Sequence, residues 1–246
     1  MQASKKNSLF LRREIDWFNR VLEVRISLYF EQGGEYDNIH DVSPPDLSGD
    51  DSEYALLLKE YAMGFDERLV FILAMLPHVQ PQALDALFIR NKNLDRTYSE
   101  FGGWKGRSHG GFLPTAETAA FILAGSDLVK RFEVIALFEE DHFFFRTGML
   151  RLDRQGHDEP LFSAALLLSS DYLSRCTTGI CHKPDYSIKF PAKRISSKLG
   201  WHDLVLAPQV LAEVENIKTW IKRSHTIMTE WGLDKSIKPG YRSLFY

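Results

Sequence analysis

Residues 115–175 read TAETAAFILAGSDLVKRFEVIALFEEDHFFFRTGMLRLDRQGHDEPLFSAALLLSSDYLSR. Thr115 can cap a helix that runs to Ala124, with Gly125 behind it, because a hydroxyl at a helix start accepts from an otherwise unpaired amide. Ser126 can cap a second helix to about Phe138. After a short aromatic piece, residues 142–145, come two strand-like runs, residues 149–153 and 164–168. The polar stretch 154–160 separates them, as in a hairpin with a longer loop. Ser169 or Ser170 then caps a short helix through Arg175. The order is helix, helix, hairpin, short helix.

Working toward the N-terminus, residues 101–111 (FGGWKGRSHGG) hold five glycines with Lys105, Arg107 and His109. Glycines let backbone amides approach an anion, so this loop is read either as a connector or as an anion or partner contact through those three side chains. The G-x-x-x-x-G-K-[ST] phosphate-loop spacing is not met here. Before it, residues 52–61, 66–76 and 81–89 have helical spacing, with Tyr54, Leu57, Leu58 and Tyr61 on one face of the first. Pro77 is expected to stop the second of these helices, and Pro81 suits the first turn of the third. Residues 35–53 carry seven carboxylates and neither Lys nor Arg, with Pro44-Pro45 and Ser48-Gly49. That composition predicts a flexible acidic connector.

In residues 8–31 the apolar positions Leu11, Ile15, Phe18, Leu22, Ile26 and Tyr29 recur at helical spacing, and Gly33-Gly34 are expected to close the helix. Arg12, Arg13, Arg20 and Arg25 share this helix with Glu14, Asp16 and Glu23, so its polar side reads as a solvated face of mixed sign rather than a nucleic-acid arm.

Toward the C-terminus, residues 183–198 hold five basic side chains against Asp185. Lys189, Lys193 and Arg194 are the candidate contacts there, in a stretch that Pro184 and Pro191 make irregular. Trp201-His-Asp-Leu-Val-Leu206 leads into an amphipathic helix from about Pro208 to Arg223. Trp231-Gly232 and Pro239-Gly240 then lead to an apolar run, Leu244-Phe245-Tyr246, read as a strand.

Thirty basic against thirty-three acidic side chains give a net charge of −3, so the whole chain lacks the positive field that draws proteins to nucleic acid or anionic lipid. Two cysteines, and no apolar core of a signal peptide in MQASKKNSLFLRR, point to the cytoplasm. The longest strongly apolar run, residues 69–76, falls far short of the roughly 20 residues of a membrane helix.

Cys176, Cys181 and His182 form C-x4-C-H without a second pair, which reads as ordinary thiols more readily than as a zinc site. Glu139, Glu140, Asp141 and His142 read as a helix end with solvated charges, since acid–base chemistry needs a pocket and a held partner. With no G-x-S-x-G elbow, H-E-x-x-H pair or G-x-G-x-x-G after a strand, the sequence gives no catalytic and no metal-binding residues.

The expected fold is mainly α (α+β). It comprises an N-terminal helix (1–34), an acidic linker (35–53), a helical domain (54–112), a winged-helix-like domain with a small hairpin (113–184), a basic linker (185–202) and a final segment (203–246). The motifs GFDERLVFILAMLPH (64–78), FGGWKGRSHGGFLPT (101–115), FPAK (190–193) and KPGYRSLFY (238–246) are similar to those of a bacterial AAA family (AAA+) ATPase in which a winged-helix domain precedes the motor. The resemblance spans residues 55–246, and its last segment looks like the first helix and strand of the ATPase module.

The resemblance implies that Walker A and B, sensor and arginine-finger elements would follow Tyr246, and that Leu204 and Val205 would be apolar walls for an adenine ring. ATP and Mg would then belong to the full-length protein, with no cofactor in these residues. The expected role is non-catalytic, positioning a partner or substrate for a homo-hexameric motor. A DNA-binding winged-helix module and a stand-alone protein-interaction adaptor are the alternatives.

Overall fold

Helix α1 (Gln2–Tyr29) supplies the scaffold on which the first part of the chain assembles. Phe10, Leu11, Ile15, Trp17, Phe18, Val21 and Leu22 are buried along it, a stripe at three- and four-residue steps. The computed structural model describes residues 2–93, 95–106, 108–154, 156, 158–180, 203, 205–226, 228, 231 and 232. Two units result, residues 1–183 and residues 184–246, and each is described by itself.

α1 begins before the periodic stretch because Asn7 gives its first turns an inner role. The Asn7 amide donates to the carbonyls of Arg175 and Thr177 at 3.1 and 3.3 Å, and its oxygen accepts from the Glu53 amide at 2.9 Å. The glycines expected to end the helix do not. Glu31 takes the left-handed conformation (φ 54°), and the Gln32 amide returns to the Ser27 carbonyl at 2.9 Å, which is the Schellman closure.

The acidic segment is packed rather than flexible. Ile39 and Val42 are buried, the Trp17 indole donates to the Val42 carbonyl at 2.9 Å, and Asp50 and Asp51 pair with Arg13 and Lys6. Two of its carboxylates thus meet basic side chains of α1, Glu53 pairs with Arg175, and its few apolar residues pack into the core. Ser52 then caps α2 (Glu53–Glu60).

α3 (Phe65–Val79) is the innermost element, buried continuously from Arg68 to Leu76. Pro77 does not stop it. The proline costs the bond its own N–H would have made four residues back, yet the helix runs two residues further and the Gln80 amide still reaches the Leu76 carbonyl at 2.9 Å. The following turn, Pro81–Phe88, is 3-10 in type.

Two short antiparallel pairs come next, β1 (Arg90–Asn91) with β2 (Arg96–Thr97) and β3 (Trp104–Lys105) with β4 (Phe112–Leu113). The glycine-rich loop is therefore a hairpin. Gly103, at φ +83°, lies under the Phe112 ring, and a Cβ there would fall 2.0 Å from that ring's Cζ.

The decisive stretch folds in the order its sequence specifies. α4 (Ala116–Ala124) is capped by Thr115 and closed by Gly125 at φ 58°. α5 (Leu128–Ala136) is capped by Asp127 rather than Ser126, the Asp127 carboxylate accepting from the amides of Val129 and Lys130. α6 (Phe143–Arg146) precedes β5 (Leu150–Asp153), which pairs antiparallel with β6 (Ala165–Leu168), Leu150 opposite Leu168 and Asp153 opposite Ala165. The far edge of β6 is taken by the approach to α4, through Leu166 N to Pro114 O at 2.9 Å and Ala116 N to Ala164 O at 3.2 Å. Ser169 caps α7 (Ser170–Thr177).

The fold is thus mainly helical with three two-stranded antiparallel pairs among the described residues. The stretches 1–34, 35–53, 54–112 and 113–183 share one core, in which α1 packs on α2, α3, α4 and α7, and α3 packs on α4 and β6. In the second unit, α8 (Pro208–His225) has Pro208 in its first turn. The basic stretch 183–198 and the terminal strand 244–246 lie outside the described residues.

Candidate functional site

α4 and α5, joined by Gly125-Ser126-Asp127, treat water in opposite ways. Small alanines let α4 sink into the core, where eight of its nine residues are buried. α5 buries only Val134 among its nine. Leu128, Val129, Phe132 and Ile135 are 64, 67, 63 and 38 % exposed. Positions i, i+4 and i+7 share one helix face, so Leu128, Phe132 and Ile135 form a ridge with Val129 beside it. Single exposed apolar residues are ordinary, but a contiguous row marks a contact surface.

This ridge is held firmly from behind. Arg131 makes two bonds to Glu117 of α4, at 2.9 and 2.5 Å, and its guanidinium lies 5.5 Å from the Phe162 ring centroid. The hydrogen bonds it donates to Glu117 raise the Arg131 pKa, so the guanidinium stays charged. Val134 is buried beneath, and Phe138 meets Phe162 edge-on at 5.5 Å.

Charges around the ridge are mostly negative. Asp127 at the start of α5, Glu133 on its flank, and Glu139, Glu140 and Asp141 beyond its end are all exposed. Lys130 is half-buried, and its charge acts on Asp66 at the start of α3.

Of the candidate binding residues singled out in the sequence, Lys105, His109 and Val205 are among the described ones. Lys105 stands exposed on β3 opposite Phe112, whereas His109 turns into its own loop, close to Gly106 and Gly111, with Nε2 buried and without a hydrogen-bond partner among the described residues. Burial, and secondarily the nearby His109, lowers the pKa of His78. Arg107, Lys189, Lys193, Arg194 and Leu204 lie outside the described residues, and Val205 is 93 % exposed.

His142 is a cap, its Nδ1 accepting from the Phe144 amide at 3.3 Å, and its pKa falls through burial beside Phe143 and Phe144. Glu139, Glu140 and Asp141 are the solvated charges that the sequence suggests. Burial pushes the Cys176 thiol up to about 12, which leaves it a packing group; Cys181 and His182 lie outside the described residues. Among the described residues no group of three or more His, Cys, Asp or Glu side chains is placed to hold a metal ion, and no helix is long and apolar enough to cross a membrane.

Two clefts have their polar groups already engaged or open to water. One of about 420 Å³ lies between α1 and α4, where Arg25 donates to the carbonyls of Ile122 and Leu123 and Tyr29 donates to Glu100. The other, of about 460 Å³, is lined by Arg20, Glu23, Ser27 and Tyr36 near the end of α1.

Sequence reasoning missed the α5 ridge because it weighed only the charges of that helix. The signal was present: Leu128, Val129 and Phe132 each fall more than about 100° around the helix from Val134, so α5 is apolar on more than one side and one core cannot cover them all. No family model, curated protein or solved structure matches this chain.

Proposed function

We propose that this chain is a non-catalytic protein-recognition region whose contact surface is the exposed ridge of α5. The observation that carries the reading is the ridge itself, three large apolar side chains in a row, with Val129 alongside, on a helix fixed from behind by the Arg131–Glu117 pair. Holding such a surface in water is unfavourable unless a partner covers it. Residues 113–183 are read as winged-helix-like, supported by the order helix, helix, hairpin, short helix and by the added pairing of residues 114–116 on β6. The resemblance of residues 55–246 supplies the context: the region presents its partner to a hexameric AAA+ motor, and ATP and Mg serve that motor.

Duplex DNA is a poor ligand for α5. Recognition helices approach a polyanion with Lys and Arg, but here the exposed face is apolar, Arg131 is committed to Glu117, and carboxylates flank the ridge.

Site-specific photo-crosslinking in cells tests the reading. A benzophenone side chain placed at Phe132 should yield a discrete protein adduct, whereas one at Leu9, equally exposed on α1, should not. Absence of an adduct from position 132, or identical adducts from both, would sink the proposal.

A further inference from the structure

We infer that the partner segment covering the α5 ridge is a basic amphipathic helix, an assignment that rests on the recognition reading above. The ridge of Leu128, Phe132 and Ile135 repeats every three to four residues, which is the spacing another helix offers when its side chains fit between ridges. A partner segment with apolar residues at i, i+3 or i+4, and i+7 meets it along its length.

The rim selects the charge of that segment. Exposed carboxylates bracket the ridge along the chain: Asp127 just before α5, Glu133 within it, and Glu139, Glu140 and Asp141 beyond its end. The carbonyl end of α5 adds a further negative pole near the last three. The two cations of α5, Lys130 and Arg131, are half-buried, and Arg131 is bonded to Glu117. Lys or Arg flanking the apolar stripe of a partner would therefore meet complementary charge.

The same rim disfavours the other occupants. A second copy brought face to face would set these carboxylates against their own counterparts, and like charges across an interface cost several-fold to many-fold in affinity. An anionic lipid surface attracts basic segments and is repelled by an acidic rim.

Two synthetic helical peptides with one leucine stripe, flanked in one by lysines and in the other by glutamates, provide the test. Each is titrated into the full chain and followed by fluorescence anisotropy. The lysine peptide should saturate and bind at least about tenfold tighter than the glutamate peptide, and its affinity should fall as salt is raised. Phe132→Ser should weaken it by about tenfold or more, as loss of an interface anchor does, with the melting temperature unchanged. The double change Glu139→Lys and Glu140→Lys, which leaves the ridge intact, should narrow the preference between the peptides.

Equal affinity for the two peptides, no saturation by the lysine peptide, or a concentration-dependent dimer lost in Phe132→Ser would each overturn the assignment. A discrete adduct from position 132 together with any of these results would preserve the recognition reading and remove only the basic helix. Absence of the adduct removes the reading itself.

Discussion

At the residue scale, one buried ion pair stands out. Glu14 is fully buried and Arg68 nearly so; Arg68 donates to Glu14 and to the Pro45 carbonyl, with its guanidinium 5.7 Å from the Trp17 ring centroid. Glu14 Oε2, Arg68 Nε and the Tyr54 hydroxyl make no hydrogen bond within the described residues. Burial raises the Glu14 pKa above its ordinary 4.5, outweighing the attraction of Arg68. Its contribution to stability is therefore complete below the unfolded value and is lost as pH rises through the higher folded value.

Removing Arg68 exposes that balance. Arg68→Met should cost about 3–5 kcal/mol at neutral pH, the typical loss when a buried pair is broken. In mild acid the loss should shrink, because Glu14 can then take up a proton. Urea denaturation at the two pH values checks this, and an equal loss at both would show that Glu14 is not the group left uncompensated. The sequence placed Glu14 on a solvated face, although it lies four residues after Phe10 and four before Phe18, on the side the helix buries.

At the scale of the element, caps decide where helices begin. The Thr115 hydroxyl accepts from the Gly103 amide at 3.1 Å and the Thr118 amide at 3.4 Å, tying the glycine hairpin to α4. Thr115→Ala should destabilise by about 1–2 kcal/mol, whereas Thr115→Ser should recover most of it. For α5, Asp127→Ala should cost about 1 kcal/mol and Ser126→Ala less than about 0.5 kcal/mol, since only Asp127 caps the helix. Thermal melts of the four variants rank them, and a larger effect at Ser126 than at Asp127 would contradict the capping assignment. Two adjacent cap-competent residues cannot be told apart from sequence, because the choice depends on the path the chain takes out of Gly125.

For the whole molecule, the shared core of residues 1–183 makes a definite prediction. A chain ending at Lys183 should unfold in one cooperative transition, with α1, α2, α3 and the β5–β6 hairpin lost together. Two resolved transitions in calorimetry would instead mean that the segments before and after residue 113 fold independently. Phe132→Ser should shift the stability of this unit by less than about 0.5 kcal/mol, because its ring faces water. A large loss would place Phe132 in the core and remove the contact surface.

Local chemistry fixed the order of elements, because periodicity, capping hydroxyls and turn residues act over three or four neighbours. The Thr115 cap, the Gly125 closure, a serine cap at residue 169 or 170 and the runs that became β5 and β6 were all legible for that reason. Which side of each element meets the core depends on residues far away in the chain. Only the tertiary structure made the acidic segment a strap across α1, carried α3 through Pro77, buried Glu14 beside Arg68 and left one apolar face of α5 in water. A sequence shows that α5 is apolar on more than one side, but the packing of α4 and Phe162 decides which side is covered.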